Sequence, residues 1–378
     1  MLTREFALEQ IDCYPFENDY DINKVIFFDI ETTGLSADTS YLYLIGCAYY
    51  KASRYHIIQW FSEGIEEERI IILSFIEFLK DHDVLVHYNG SGFDIPYLQR
   101  KCVSLHLEDP FIHIISIDLY KKIMPYKKLL KLDSLRQKSI EAFLKIKRKD
   151  TMSGGDLISV YQQYLGKKRL EILRNQRLSD YTSSSSSEAD NLFGQLLLHN
   201  EDDIKGLLLI SPILNYIDLF EKPYRILQAY VEQEHLRIRF EIASSVPVEI
   251  NYTNDFVHFT AFRQTAVLTV EIYNGELKYF YENYKDYYYL PAEDYAVHKT
   301  LAAYVDKNHR EKAKLSNCYR KKQGIFVPQY EAVITPCFQF SYHDKITFVE
   351  IHTDSLLQEH KLELYVKHLL KYLMGKKN

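Results

Sequence analysis

Two acidic residues end an apolar run in the stretch VIFFDIETTG, residues 25–34. Successive side chains of a β-strand point to opposite faces, so Asp29 and Glu31 share one face and Ile30 takes the other. Two carboxylates beside an apolar interior repel each other and lose hydration, and a cation between them relieves both penalties. Oxygen ligands of this kind favour magnesium or manganese. The alternative is a strand that ends at the surface with two solvated acids.

A second acidic position follows another short strand, in HYNGSGFDIPYLQR, residues 87–100. Asp94 comes after a glycine-containing loop, and Pro96 stands where the first turn of a helix tolerates proline. As an ordinary structural residue, Asp94 would cap the helix. That interpretation is compatible with a functional one, because ligands collect where the strands of an open sheet end and helices begin.

The third candidate segment is HNEDDIKGLL, residues 199–208. His199 and Asp203 are four residues apart and therefore share one face of a helix. Leucines near that face indicate that it turns toward the sheet. The alternative is a solvated acidic cluster at residues 201–203, in which His199 is an ordinary surface or hydrogen-bonded residue.

The elements around these segments predict an α/β fold. Strands are expected at residues 25–31, 41–50, 54–61, 84–88 and 111–120, with helices at 66–82 and from about residue 94. This order predicts a mixed five-stranded sheet flanked by helices. A further helix is expected at 191–210, after a polar segment at 181–190 that is interpreted as a loop.

The C-terminal part has a different character, and a domain boundary is placed after residue 218. Residues 1–218 form the first predicted domain and residues 219–378 a β-rich α+β domain of unknown role. Within the second, a hairpin is expected to turn at Asn274-Gly275. Residues 291–305 are expected to form a helix.

The segments DIETTG, NGSGFDIP and HNEDD occur in this order on a matching series of elements. Together they resemble the DEDD exonuclease superfamily of the ribonuclease-H-like fold, and within it the YprB-like ribonuclease-H-like domain family. The resemblance covers roughly the first 215 residues. It implies a ribonuclease-H-like fold and a nuclease that uses two divalent cations, Mg²⁺ or Mn²⁺.

The resemblance also implies roles for single residues. Asp29 would be shared by both ions, Glu31 and Asp203 would complete the first site, and Asp94 would hold the second ion. The implied substrate-binding residues are Thr32, Thr33, Gly34, Leu35, Asn89 and Phe93, with Leu35 as an apolar wedge against the terminal bases. His199 departs from the superfamily pattern, which has Tyr four residues or His five residues before the last Asp. Imidazole at this position either still orients or deprotonates a water, or has lost that role.

Composition limits the partners. A formal charge of −6 argues against a protein that coats nucleic acid but not against an enzyme that grips a few phosphates. The cluster Lys145, Lys147, Arg148 and Lys149 either contacts phosphates or forms a solvated face. The five cysteines are scattered and lack zinc-ligand or redox spacing, which predicts reduced thiols. No secretion signal and no apolar run of membrane-spanning length is found, so a cytoplasmic protein without membrane association is expected.

The leading hypothesis is a metal-dependent 3′-to-5′ exonuclease acting on single-stranded or frayed nucleic acid ends, a direction implied by the resemblance. Two alternatives stay open: a structure-dependent endonuclease on the same site, and a catalytically decayed nucleic-acid-binding or scaffold protein. The sequence does not distinguish DNA from RNA, since that depends on contacts to the 2′-hydroxyl.

Overall fold

The structure is a computed structural model that describes residues 1–149, 152, 154–177, 188–351 and 358–374. By its internal contacts the chain divides into two compact units. The first comprises residues 1–127 and 131–217, and the second comprises residues 128–130 and 218–378. Among the described helices, none combines the length and apolar character needed to cross a bilayer.

The first unit is built on a mixed sheet of six strands in the order β1-β4-β3-β2-β5-β6. The strands are β1 (Leu2–Ala7), β2 (Val25–Thr32), β3 (Leu42–Lys51), β4 (Arg54–Phe61), β5 (Val84–His87) and β6 (Ile115–Asp118). β2 runs parallel to β5, and β5 runs parallel to β6, whereas the other pairs are antiparallel. The predicted α/β, ribonuclease-H-like fold class is confirmed.

The sheet has one strand more than the five predicted. β1 pairs along its whole length with β4 at the edge of the sheet. Most of its side chains are exposed, so its sequence, LTREFA, lacks the apolar alternation of a half-buried strand. An edge strand without a buried face carries little signal in its residue types.

The described helices of the first unit are α1 (Glu68–Leu79), α2 (Asp94–Ser104), α3 (Leu119–Ile123), α4 (Gln137–Phe143), α5 (Gly154–Arg177) and α6 (Glu188–Ile210). Of these, α1, α2, α5 and α6 share apolar clusters with strands of the sheet. A further helix, α7 (Leu214–Glu221), begins in the first unit and ends in the second. Of the loop predicted at 181–190, residues 181–187 lie outside the described part of the chain. Residues 188–190 form the first turn of α6.

The two faces of β2 serve different purposes. Ile26, Phe28 and Ile30 lie in an apolar cluster together with residues of α1 and α2. A second cluster joins β3 and β4 to α5 and α6. Because side chains alternate along the strand, Asp29 and Glu31 lie on the face opposite Ile30, where α6 contacts β2.

The second unit contains three small antiparallel sheets, in the orders β7-β8-β9, β10-β14-β15 and β12-β11-β13. The strands are β7 (Tyr224–Glu232), β8 (His235–Thr253), β9 (Val257–Glu271), β10 (Tyr273–Phe280), β11 (Tyr287–Leu290), β12 (Tyr295–His298), β13 (Glu311–Lys312), β14 (Tyr319–Gln329) and β15 (Thr347–Glu350). The helices are α8 (Lys299–Ala302) and α9 (Glu359–Leu373). The β-rich α+β character is therefore confirmed.

Two local predictions in this unit are wrong. Asn274 and Gly275 do not turn a hairpin, because both lie within β10, which pairs with β14. A Cβ at Gly275 would lie 2.5 Å from the hydroxyl oxygen of Tyr273, so this glycine makes room for a neighbouring ring. The helix expected at 291–305 is shorter, since residues 295–298 form β12 and only 299–302 form α8.

Candidate functional site

The site is built where α6 crosses the acidic end of β2. Asn200 of α6 is fully buried, and its Nδ2 donates a hydrogen bond to Asp29 Oδ2 over 3.2 Å. Gln59 in β4 holds this amide in place, because its Nε2 donates to Asn200 Oδ1 over 3.0 Å. Asp29 is therefore oriented by a side chain that is itself fixed by a second buried amide.

The close approach of α6 depends on a glycine in the neighbouring strand. Gly46 pairs with Asp29 across the β2–β3 ladder. A Cβ on Gly46 would lie 2.0 Å from Asn200 Oδ1 and 2.9 Å from its Cγ. Since any larger residue would overlap the amide, glycine at this position allows Asn200 to reach the sheet.

Glu31, His199 and Asp203 form the tightest part of the site. His199 Nε2 lies 3.9 Å from Glu31 Oε1 and 3.1 Å from Asp203 Oδ2. One ligand atom from each of the three lies within 4.8 Å of the others. Residues 31 and 203, far apart in the chain, thus lie on either side of the His199 imidazole. Strand alternation in β2 and the i,i+4 spacing in α6 are consistent with this arrangement.

Asp94 reaches the site from the start of α2. It is the first residue of this helix, and its Oδ1 accepts a hydrogen bond from the backbone N–H of Ile30 over 3.3 Å. This bond ties the second acidic segment to β2, one residue from Asp29 and Glu31. Asp94 is also buried, with 7% of its surface exposed, so the carboxylate faces the interior.

Electrostatics show that the acids form one cluster. Burial raises the pKa of Asp29 well above its usual range, and the charges of Asp94, Glu31 and Asp203 raise it further. Burial also raises the pKa of Asp94 to about 7, with smaller upward contributions from the charges of Asp118 and Asp203. Without a counter-charge, Asp29 and Asp94 therefore resist ionisation.

Asp203 differs from the other acids because His199 and Arg148 both lie against its carboxylate. Burial alone would raise its pKa, but the hydrogen bond and charge of His199, together with Arg148, lower it below the usual value. Arg148 Nη2 donates to Asp203 Oδ1. Both oxygens of this carboxylate therefore have a partner.

The neighbouring acids do not form a solvated cluster. Glu201 and Asp202 are each 8% exposed. Glu201 pairs with Arg4 over 3.0 Å, and Asp202 accepts a hydrogen bond from the backbone N–H of Lys149. The acidic face of α6 is packed against other parts of the first unit.

The predicted substrate-binding residues lie in two loops. Leu35 is 87% exposed, in the loop that follows Gly34, and Gly34 O accepts hydrogen bonds from Thr32 Oγ1 and Ser40 Oγ. Thr33 Oγ1 accepts from the backbone N–H of Tyr41, which closes the loop.

The second loop precedes α2. Asn89 has a positive φ of 59° and donates its backbone N–H to Asp118 Oδ1 over 2.9 Å. Phe93, the residue before α2, packs partly buried against Tyr97. The roles of these loop residues stay predictions.

Residue types and spacing did not point to several side chains that shape the site. Asn200, Gln59 and Gly46 support Asp29, and Arg148 contacts Asp203. The only available signal was the position of Asn200 directly after His199, and an asparagine within a helix has no specific meaning. Buried amides are recognised only when their partners are known.

The donor set fits divalent cations that prefer oxygen ligands. Four carboxylates and an imidazole converge, and burial together with the charges of Asp94, Glu31 and Asp203 raises the pKa of Asp29. Glu31, His199 and Asp203 already have the spacing of a metal site. No sulfur donor is among them, which suits Mg²⁺ or Mn²⁺.

Comparison with known proteins gives a family match over half of the chain. Residues 26–215 match the family model described as the RNase_H superfamily. A DNA polymerase of Pyrococcus glycovorans is 31% identical over 107 residues, 25% of this chain and 13% of the polymerase. A DNA polymerase of Thermococcus aggregans is 32% identical over 100 residues, 24% of this chain and 5% of the polymerase. The match thus spans only a small fraction of each curated relative.

Similar solved structures include E. coli Exonuclease I in complex with a dT13 oligonucleotide. It is 14% identical with a TM-score of 0.27, over 42% of either chain. The family B DNA polymerase of Pyrobaculum calidifontis is 15% identical with a TM-score of 0.31, over 69% of this chain and 35% of the polymerase.

Proposed function

Because this chain belongs to the RNase_H superfamily, we propose that it is a metal-dependent nuclease that hydrolyses phosphodiester bonds. The observation that carries the proposal is the convergence of Glu31, His199 and Asp203, whose ligand atoms lie within 4.8 Å of one another. Asp29 and Asp94 share the same electrostatic cluster. The narrower assignment to DEDD exonucleases of the YprB-like type is part of this proposal.

The proposed cation ligands are Asp29, Glu31, Asp94 and Asp203, holding two ions of Mg²⁺ or Mn²⁺. Divalent ions bound there would acidify a water and neutralise charge on the leaving oxygen. The carboxylates supply four negative charges, which matches the charge of two such ions. The high pKa of Asp29 and Asp94 supports this assignment, since buried acids that repel each other gain most from a bound cation.

We further propose that His199 handles a proton at this site. Its Nε2 lies 3.9 Å from Glu31 Oε1 and 3.1 Å from Asp203 Oδ2, and the side chain is only 6% exposed. An imidazole held by a carboxylate can accept a proton from water at near-neutral pH. A role in proton transfer would explain why a histidine stands four residues before Asp203, where the superfamily pattern has tyrosine.

Nucleic acid ends are the proposed substrate, with cleavage from 3′ to 5′. Leu35 supports contact with nucleic acid ends, because an apolar side chain that is 87% exposed in the loop after β2 suits contact with an unpaired base. A wedge of this kind separates or stacks on terminal bases and would favour single-stranded or frayed ends.

The test uses end-labelled single-stranded DNA and RNA oligonucleotides with Mg²⁺, with Mn²⁺ and with EDTA. We expect stepwise shortening from the 3′ end that requires the metal and is lost in Asp29→Ala. The Asp81→Asn variant, which removes an exposed acid outside the site, is the control and should cleave as the wild type does. Absence of metal-dependent cleavage of either nucleic acid would refute the proposal.

Circular and end-blocked substrates separate the remaining alternatives. An exonuclease leaves both intact, whereas a structure-dependent endonuclease cuts them. A decayed, purely binding protein would retain nucleic acid without cleavage, and calorimetry with Mn²⁺ would show no tight pair of ions.

A further inference from the structure

Arg148 is the cationic side chain that contacts the predicted metal ligand Asp203. Its side chain is 12% exposed, and its Nη2 donates to Asp203 Oδ1. Its Nη1 donates to Glu141 Oε1 over 3.1 Å. The guanidinium thus bridges two carboxylates. Its planar set of N–H donors can bond to both at once, whereas the compact ammonium group of lysine is less suited to this geometry.

Side chains of α4 hold Arg148 in place on the side away from Asp203. Glu141 is 2% exposed, and Gln137 Nε2 donates both to Glu141 Oε1 over 3.0 Å and to the backbone carbonyl of Asp203 over 3.2 Å. Gly206 in α6 permits this packing, because a Cβ there would lie 2.6 Å from both Gln137 Nε2 and Glu141 Oε1. The arginine is therefore part of a fixed assembly.

The charges of this assembly indicate what it does. Arg148 and Glu141 are of opposite sign, so as a pair they add no net charge beside the acidic cluster. A residue meant only to neutralise Asp203 would not be paired with a second buried acid. The contact with Asp203 therefore acts on its orientation more than on the charge balance of the site.

The two oxygens of Asp203 have different partners. Oδ1 is held by Arg148, whereas Oδ2 lies 3.1 Å from His199 Nε2, on the side of Glu31. Rotation of the carboxylate would break both contacts. By holding Oδ1, Arg148 thus also fixes the position of Oδ2 within the cluster.

We propose that Arg148 is a positioning residue of the nuclease site, which holds Asp203 Oδ1 so that Oδ2 faces His199 and Glu31 as a cation ligand. This inference rests on the proposed function. It replaces both sequence-based alternatives for Arg148, phosphate contact and a solvated face, which stay predictions for the exposed Lys145, Lys147 and Lys149. Partners that orient a metal ligand in this way commonly change metal affinity about 10- to 100-fold when removed.

The test is the double variant Arg148→Gln with Glu141→Gln, which keeps the net charge and leaves no charged side chain at position 141 without its arginine partner. The matched control is Arg225→Gln with Glu241→Gln, the same changes at an ion pair of 2.7 Å whose side chains are 73% and 45% exposed. Calorimetry measures Mn²⁺ binding without substrate, and steady-state cleavage of the end-labelled oligonucleotide gives kcat and KM. Fluorescence of Trp60, the single tryptophan, reports folding of the first unit.

We expect the Arg148–Glu141 variant to bind Mn²⁺ about 10- to 100-fold more weakly and to lose kcat by a similar factor, with KM for the oligonucleotide unchanged. The control should match the wild type in all three quantities. Should the double variant not fold, Arg148→Lys keeps the charge without the fork of donors, and its Mn²⁺ affinity should fall in the same direction.

Three outcomes would overturn the inference. Unchanged Mn²⁺ affinity with a raised KM would assign Arg148 to substrate phosphates. A lower melting temperature with unchanged affinity and kcat would make the contact merely structural. Wild-type values throughout would remove any role. Failure of the proposed function looks different, because the wild type itself would then neither bind Mn²⁺ nor cleave.

Discussion

Replacing Asp94 by asparagine should stabilise the ion-free protein while abolishing cleavage. Asparagine has nearly the same shape, and its Oδ1 can still accept the hydrogen bond from the N–H of Ile30. The substitution removes only the charge that burial makes unfavourable. Ligands that serve function at the expense of stability are expected to behave in this way.

The magnitude follows from the pKa of the carboxyl. Burial, with the charges of Asp118 and Asp203, raises this pKa from 3.8 to about 7. A difference of about 3 in pKa corresponds to about 4 kcal/mol. Because the pKa is higher in the folded state, the stability contribution is complete below the ordinary value and is lost as the pH rises toward 7. The advantage of Asp94→Asn should therefore be near zero at about pH 4 and reach about 4 kcal/mol at about pH 8.

Urea unfolding in EDTA, followed by the fluorescence of Trp60, measures this difference. With a slope of about 2–3 kcal/mol per M, the midpoint at alkaline pH should rise by roughly 1–2 M. Asp81→Asn, at an exposed position, is the control and should show no pH-dependent gain. A gain of equal size at both pH values, or a loss of stability at about pH 8, would refute the electrostatic account.

Three further changes test other parts of the site. Asp29→Ala should abolish Mg²⁺-dependent cleavage of the labelled oligonucleotide while circular dichroism shows a folded protein, and undiminished cleavage would contradict the two-ion proposal. Gly46→Ala should cost about 1–3 kcal/mol in unfolding free energy and lower kcat, because its Cβ would lie 2.0 Å from Asn200 Oδ1; Gly194→Ala, whose Cβ meets nothing within 4 Å, is the control. His199→Asn should lower kcat about 10²- to 10⁴-fold and remove the limb of the pH–rate profile that rises with pH. An unchanged profile would exclude His199 from proton transfer.

Local patterns in the sequence predicted much of the first unit. Alternation in β2 put Asp29 and Glu31 on one face, and the interval of four put His199 beside Asp203. The start of a helix at Asp94 also follows from nearby residues, and the structure has α2 begin there. These features depend on neighbours within a few residues, and that is the range over which backbone periodicity acts.

The same local rules failed where pairing with a distant strand determines the conformation of a residue. Asn274-Gly275 has the composition of a hairpin turn, yet it lies in β10 because β14 provides its hydrogen-bonding partner. The sequence did not predict β1, because this strand pairs with β4 but has no buried apolar face. Pairing between distant strands overrides the preferences of single residues.

Residue types and local periodicity were enough to identify which side chains can serve as ligands and which face of its own element each one occupies. The contact of α6 with the acidic end of β2, of Asn200 with Asp29 and of Arg148 with Asp203 could be recognised only in the folded protein. Such contacts depend on how closely two elements approach. The distance between two elements is set by packing at positions such as Gly46, which allows Asn200 to approach the sheet. Because these two residues are more than 150 positions apart, their contact leaves no local pattern in the sequence.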